Sequence, residues 1–148
     1  MMNVSPQTMG ILVGGVVPAV GYSVFAIGTK LAAQSGLGAG PLLVLTGFAC
    51  AVTGAGFWWL LPAPIDMKSG LWGLMAGFAW AVGTGFVSFA LLKWGVPISK
   101  LNPIYNTNTL ITVLLGLVIF SEWKQANPLP LVAGALLILV GSLLVSAS

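Results

Sequence analysis

Long apolar segments constrain the fold of this chain more than any other feature. Five of them follow one another, each close to the ~20 residues that an α-helix needs to cross the hydrocarbon core of a bilayer. We therefore predict an all-α fold, a polytopic transmembrane bundle of about five helices that forms a single domain over residues 1–148. The predicted helices cover residues 9–33, 41–61, 69–92, 98–120 and 129–146.

The composition favours lipid over water as the solvent for these helices. Hydrophobic residues make up 58% of the 148 residues and charged residues only 5%, with a mean hydropathy of +1.07. Soluble domains carry about 25% charged residues, and a domain of this size has too little interior to hide so much apolar surface. The first segment is too long for a cleaved signal peptide and lacks a basic start, so we expect it to remain as a span.

Turn-forming residues mark the connections between the segments. Glycine and proline, which continue a helix poorly, recur at residues 35–38, 62–66, 95–97 and 127–130. Links this short make neighbouring helices run antiparallel. Most tryptophans fall near predicted helix ends, where indole rings favour the headgroup region, whereas Trp80 lies in the middle of the third segment.

The lysines predict how the helices are oriented. Side A, where the N-terminus lies, holds Lys68 and Lys124, while side B holds Lys30, Lys93 and Lys100. The positive-inside rule then places side B, and with it the C-terminus, in the cytoplasm. Because the two sides differ by only one lysine, the sequence also allows insertion in both orientations, and hence an antiparallel homodimer. Scattered single lysines do not form the basic patch that nucleic-acid binding requires, so we expect no nucleic-acid partner.

The fourth segment carries a stripe of polar side chains. Asn102, Tyr105, Asn106, Thr109 and Thr112 follow helical spacing and share one face. Polar groups are costly inside a membrane and therefore informative. We interpret this stripe as the wall of a cavity that hydrogen-bonds a solute. The alternative is contact between helices, since Asn and Thr also bond across helices for ~0.6 kcal/mol each.

Three further residues bear on this cavity. Pro103 leaves the carbonyl of Ser99 without its usual partner, which opens the backbone beside the stripe. Tyr22 in the first helix and Trp80 in the third are candidates to complete the cavity, with core packing as the alternative for Trp80. The substrate-binding candidates are thus Asn102, Tyr105, Asn106, Thr109, Tyr22 and Trp80.

Chemically reactive groups are missing from the predicted spans. Asp66 lies in a loop and Glu122 at the end of the fourth helix, and no carboxylate, histidine or arginine lies deep within a span. Proton-coupled antiport ordinarily uses such a group. The sequence also has no nucleophile–base pair, metal-ligand cluster or phosphate-binding loop. We therefore expect no enzymatic activity, no cofactor and no metal site.

Small residues recur along the helices. Gly14, Gly21 and Gly28 are seven residues apart in the first segment, and Gly73 and Gly77 begin a four-residue repeat in the third. Such stripes let helix backbones approach each other closely in a membrane. We interpret most of these glycines as packing residues.

The C-terminal half resembles a known transporter family. A short turn from a glycine to a serine (residues 95–99) precedes a polar, proline-bearing helix start, Glu122 follows the apolar run, and the closing helix is rich in Gly and Ala. These features resemble the drug/metabolite transporter superfamily, and more narrowly a single EamA-type five-helix repeat. Lys30 loosely matches a lysine common in the first helix of such repeats. The five-segment length matches one repeat over essentially the whole chain.

The resemblance implies a function that depends on a second chain. Full-length members carry two repeats in inverted orientation around a central substrate path, so a single repeat would pair with another chain. This chain lacks the arginine often seen in the second helix of the family. It also lacks the membrane-embedded Glu of the small multidrug resistance branch, which puts drug/proton antiport in doubt.

Two functional hypotheses follow from these patterns. The first is a half-size transporter of a small organic metabolite that acts as a dimer by alternating access. The second is a non-transporting integral membrane subunit that docks in a larger membrane complex. In both, the partners are the lipid bilayer and either another copy of the chain or another membrane protein. We expect an integral, multi-pass protein of a bacterial inner (plasma) membrane with a cytoplasmic C-terminus.

Overall fold

A computed structural model describes residues 5–124 and 127–147 of the chain. All regular secondary structure in these two ranges is helical, which confirms the prediction of an all-α fold. The helices are α1 (Pro6–Gln34), α2 (Ala39–Leu60), α3 (Met67–Lys93), α4 (Ile98–Tyr105), α5 (Asn108–Ile119), a 3₁₀ turn (Glu122–Lys124) and α6 (Pro128–Ala147).

Four of these helices, α1, α2, α3 and α6, are long and apolar enough to cross a membrane. The shortest, α6, has 20 residues, which at 1.5 Å per residue span about 30 Å, the thickness of the hydrocarbon core. The four helices correspond to the first, second, third and fifth predicted segments, and their ends fall within a few residues of the predicted ones.

The prediction of one continuous helix over residues 98–120 was wrong. The segment forms two shorter helices, α4 and α5, with Asn106 and Thr107 between them. Pro103 lies inside α4, three residues before its end is capped by Asn106. A proline withholds an amide N–H from the helix, and nearby Asn and Thr side chains offer the backbone other hydrogen bonds. Together these effects favour a helix end at this position.

Contacts within the chain define two compact units, residues 1–95 (unit 1) and 96–148 (unit 2). In unit 1 the helices α1, α2 and α3 pack pairwise, and in unit 2 both α4 and α5 pack against α6. The single transmembrane domain over residues 1–148 stays a prediction, and its residues 1–4, 125, 126 and 148 lie outside the described part of the chain.

Unit 1 is tightly packed at one end only, which we call the packed end. There α1 ends, α2 begins and α3 ends, which is the end that the predicted topology assigns to side B. Here α2 and α3 approach each other closely, since a Cβ placed on Gly85 would lie 3.3 Å from Leu43 Cδ1. The buried residues of this unit all lie there: Ala26, Thr29, Leu42, Thr84, Ser88 and Leu91.

The opposite half of unit 1, which we call the open end, buries no described residue. It comprises residues 6–24, 47–60 and 67–80, which are exposed except for the half-buried Pro18 and Gly70. The three helices therefore contact one another along only part of their length.

The core of unit 2 forms where α4 and α5 pack against α6. Leu117 of α5 and Ala135 and Ser142 of α6 are buried. The Ser142 hydroxyl donates to the Ile138 carbonyl at 2.8 Å, which satisfies it within its own helix. This bond permits a hydroxyl group to lie in an apolar contact.

A capping box starts α3. Ser69 N–H donates to Asp66 Oδ1 at 2.8 Å, and the Ser69 hydroxyl accepts from the Asp66 N–H at 3.3 Å. The hydrogen bond from the Ser69 backbone lowers the pKa of the Asp66 carboxyl below its ordinary value. These two hydrogen bonds fix the start of α3 immediately after the loop.

We predict that Asp66→Ala lowers the thermal midpoint of the protein in detergent at pH 7, because the first turn of α3 loses its cap. The folded pKa lies below the unfolded value of ~3.9, so the stabilisation is fully present above that pH and is lost as the pH falls through the folded pKa. The difference in thermal midpoint between Asp66→Ala and wild type should therefore become smaller at acidic pH. Asp66→Asn, which retains an acceptor but does not titrate, serves as control and should lack this pH dependence. An equal deficit for Asp66→Ala at all pH values would contradict the prediction.

Candidate functional site

The backbone between α4 and α5 changes from α-helical to 3₁₀-like hydrogen bonding. Thr107 N–H donates to Ile104 O, Thr109 N–H to Asn106 O and Leu110 N–H to Thr107 O, each three residues back at 3.0–3.1 Å. Asn106 (φ −71°, ψ −6°) and Thr107 (φ −64°, ψ −10°) have the dihedral angles that such a turn requires. A short 3₁₀ stretch inside a helical segment often marks a functional hinge.

The polar side chains of the stripe gather around this junction. Asn106 Nδ2 donates to Asn102 Oδ1 at 3.3 Å, one helical turn away. The Thr109 hydroxyl donates to the Asn106 carbonyl at 2.9 Å, and the Thr107 hydroxyl to the Ile104 carbonyl at 2.7 Å. The side chains thus bond directly to the backbone that forms the junction, which stabilises the turn locally.

Hydrogen bonds connect three of the four substrate-binding candidates predicted in this segment. Asn102, Asn106 and Thr109 form one connected set of hydrogen bonds. Tyr105, the last residue of α4, is half-buried beside them. Thr107 also belongs to the junction although helical periodicity did not select it. A signal was available, because a Thr between two Asn residues favours turns over helix interiors.

The junction is polar but has little charge. Between residues 98 and 119 the only charged side chain is Lys100, in the first turn of α4. One hydrogen bond between the Asn102 and Asn106 amides uses one donor and one acceptor, so the pair retains further capacity of both kinds. The two Thr hydroxyls, whose protons point to carbonyl groups, retain their capacity to accept. Such a surface can bind a neutral solute that both donates and accepts hydrogen bonds.

The other two candidates, Tyr22 and Trp80, belong to unit 1. The Trp80 ring lies against Phe25, with ring centroids 5.7 Å apart and planes tilted by 46°. The Tyr22 side chain is 70% exposed. That these two residues complete the cavity begun by the α4–α5 stripe stays a prediction.

Glu122 folds back onto α5. The chain reverses at Ser121, which has a positive φ of 55°, and Glu122 begins the 3₁₀ turn. A Cβ placed on Gly116 would lie 2.9 Å from Glu122 Oε2, so the absence of a side chain at Gly116 makes room for the carboxylate. The carboxylate is therefore positioned over the last turns of α5.

An apolar cleft lies at the end of α2, and none of the predicted site residues lines it. It has a volume of about 380 Å³, and the Trp58 indole N–H, which donates to Ala63 O at 3.0 Å, braces the loop beside it. The cleft is lined by Gly54, Phe57, Trp58, Leu61, Ala63, Pro64 and Ile65. Among residues 5–124 and 127–147, no three His, Cys, Asp or Glu side chains cluster as metal ligands.

We predict a measurable coupling between Asn102 and Asn106. In a double-mutant cycle with Asn102→Leu and Asn106→Leu, the two changes should be non-additive by about 0.6 kcal/mol, the average for side-chain hydrogen bonds in a membrane protein. Reversible unfolding in mixed micelles would measure it. The matched cycle of Asn102→Leu with Asn108→Leu should show no coupling, because Asn108 lies off the stripe. Additivity in both cycles would contradict the bond between the two amides.

Comparison of the chain with known proteins finds no match. No model of a protein family matches the chain. No curated protein and no solved structure matches it either. The resemblance to an EamA-type repeat therefore rests on the residues quoted for it above.

Proposed function

We propose that the chain is a half-size transporter of a small organic metabolite, which acts as a dimer by alternating access in a bacterial inner membrane. One observation carries the proposal: the fourth apolar segment is interrupted, and the interruption coincides with the polar stripe. The proposal includes the family resemblance, since residues 93–123 and the closing helix resemble an EamA-type repeat.

The interruption is informative because hydrocarbon cannot hydrogen-bond to a peptide group. At membrane depth, irregular backbone is tolerated only where protein buries it or where it lines a water-filled cavity. Transporters commonly place such discontinuous helices at the substrate site, where freed backbone groups and helix ends contact the solute. The junction at Asn106 and Thr107 has both the irregular backbone and the polar side chains of such a site.

The lengths and contacts of the helices favour a fifth crossing by α4 and α5 together. The 12 residues of α5 extend only about 18 Å, short of the ~30 Å hydrocarbon core. From Ile98 to Ile119 the two helices and their junction cover 22 residues, or about 33 Å. Both α4 and α5 pack on α6, which is itself long enough to span. In this arrangement the junction lies within the membrane rather than at its surface.

The chemistry of the junction limits the class of solute. Two carboxamides and two hydroxyls offer donors and acceptors without net charge. A solute with an uncompensated charge would find no opposite charge among Asn102, Tyr105, Asn106 and Thr109. We therefore propose a neutral or zwitterionic organic solute as substrate.

A transport assay tests this proposal. Proteoliposomes loaded with a bacterial metabolite extract should release specific solutes, identified by mass spectrometry, when they contain the wild-type chain. Asn106→Leu should abolish this release, because it removes the amide at the centre of the junction while preserving side-chain size. We expect a loss of about 30- to 150-fold, the effect of a buried polar pair worth about 2–3 kcal/mol to the solute.

Asn108→Leu is the matched control for this assay. The same substitution, two residues further along and outside the bonded set, should leave release unchanged within a factor of about three. Unchanged release in Asn106→Leu would remove the junction as a substrate site. Release from neither variant nor wild type would reject transport for the solutes present in the extract.

The lysine distribution predicts the topology of the proposed transporter. A reporter fused after residue 147 should be active only in the cytoplasm, because side B carries more lysines and the C-terminus lies on side B if the segments cross five times. A mixed signal would indicate insertion in both orientations and favour an antiparallel dimer. A purely external signal would contradict the assignment.

One observation favours the second candidate, a non-transporting subunit of a larger complex. Cβ atoms placed on the α1 glycines Gly14 and Gly21 or the α3 glycines Gly73 and Gly77 would meet no atom within 4 Å. Glycine faces of this kind let another helix approach closely. Purification in mild detergent distinguishes the candidates: stoichiometric co-purification with other membrane subunits would favour docking, and a dimer of the chain alone would favour the transporter.

A further inference from the structure

The two ends of unit 1 differ in more than tightness of packing. Of the six residues buried at the packed end, three carry hydroxyl groups: Thr29, Thr84 and Ser88. Helix contacts in membranes do use hydroxyls, but these need hydrogen-bond partners where neither lipid nor water can supply them. The packed end is thus a polar contact on one side of an otherwise apolar unit.

Ser88 carries the most deeply buried of these three hydroxyls. Its side chain is 1% exposed, yet its Oγ has no hydrogen-bond partner within the described part of the chain. Thr29 and Ser142 differ from it, because each donates to the carbonyl four residues earlier, Thr29 to Phe25 and Ser142 to Ile138. An unpartnered buried hydroxyl is unfavourable, so the packed state leaves a hydrogen bond unmade at Ser88.

An aromatic pair lies at the boundary between the two ends, and Trp80 is the last residue of the open end in α3. Phe25 of α1 contacts Trp80 of α3, with centroids 5.7 Å apart. Ala26 is buried directly after Phe25, and the first buried residue of α3, Thr84, follows Trp80 by one helical turn. On the other side of the pair begin the exposed residues of the open end. The rings therefore lie where the packing of α1 against α3 starts.

We propose that the packed end of unit 1 is the closed gate of a solute path, and that Ser88 becomes a solute-contact or water-contact residue when the gate opens. On opening, the Ser88 hydroxyl would donate to an oxygen of the solute or of water. This hydrogen bond offsets part of the helix packing that opening loses, which keeps the two states close in free energy. The inference rests on the proposed function in one respect, since a gate serves only a chain that moves solutes.

Thiol accessibility tests the gate without any solute. Cys50 is exposed and is first replaced by Ala. In nanodiscs, which leave both faces accessible, the Ser88→Cys variant is treated with a charged, water-soluble methanethiosulfonate. A minor open state is commonly populated to roughly 0.1–10%, so its thiol should react about 10- to 1,000-fold more slowly than in the same variant after denaturation.

A matched pair of substitutions biases the proposed gate. Gly85→Leu forces α2 and α3 apart, because even a Cβ there would lie 3.3 Å from Leu43 Cδ1. Gly77→Leu makes the same change at the open end of α3, where a Cβ meets nothing within 4 Å. Labelling of the Ser88→Cys variant should accelerate with Gly85→Leu and stay unchanged with Gly77→Leu.

Ser142→Cys is the control: it measures the labelling rate of a thiol that is buried outside the proposed gate. Its hydroxyl is buried and bonded within α6, so the thiol of this variant should stay unreactive in all backgrounds. The proposal is overturned if the Ser88→Cys variant reacts no faster than the Ser142→Cys variant both with and without Gly85→Leu.

A stability measurement covers the case in which Gly85→Leu fails to fold. Ser88→Ala removes a hydroxyl that lacks a partner in the closed state, so it should raise the thermal midpoint. Ser142→Ala removes a hydrogen-bonded hydroxyl from another buried site and should not raise the midpoint. A lowered midpoint for Ser88→Ala would mean that the hydroxyl is bonded in the closed state, and would overturn the proposal.

The results separate this inference from the proposed function. A gate that opens in a chain that releases no solute would reject transport and preserve the gate. Intact solute release with an inert Ser88→Cys variant would preserve transport and reject the gate at this position.

Discussion

The structure depends on one requirement: a peptide group that meets no water must find its hydrogen bond within the protein. Continuous helices satisfy it for α1, α2, α3 and α6, which are long and apolar enough to cross a membrane. An interruption in such a context is therefore meaningful. The junction at Asn106 and Thr107 meets the requirement in a different way, through 3₁₀ bonds and through side chains that donate to nearby carbonyls.

The same requirement governs the small polar side chains. Where a hydroxyl lies in a helix contact, as in Thr29 and Ser142, it bonds to its own helix and becomes compatible with apolar surroundings. Two places depart from this arrangement. At the α4–α5 junction the amides bond to each other and keep spare capacity, and at Ser88 a buried hydroxyl bonds to nothing in the described chain. These departures are the two places where we propose contact with a solute.

Prediction from the sequence succeeded where the signal was local and failed where two local signals competed. Hydropathy and turn residues located α1, α2, α3 and α6, because the apolarity of about 20 consecutive residues is sufficient for a membrane helix. The fourth segment passes the same apolar test, yet Pro103 and the Asn and Thr residues after it favour a helix end. Helical spacing grouped Asn102, Asn106 and Thr109, and hydrogen bonds connect them in the structure, because Asn102 lies in α4 one turn before Asn106, which caps that helix. It did not locate the break itself.

The sequence by itself determined that the chain is helical, apolar and divided into segments of membrane-spanning length, because each of these properties depends on neighbouring residues alone. Only the tertiary structure decided which parts of the helices are buried. Apolar residues surround the long helices on nearly all sides, so no amphipathic pattern marks a buried face, and in lipid the hydrophobic effect does not select one. Close contacts between helices, such as that of Gly85 with Leu43, determine which face is buried instead. For this reason the packed end, the open end and the unpartnered Ser88 emerged from the structure, whereas Pro103 and the neighbouring Asn and Thr residues already marked the interrupted fourth segment in the sequence.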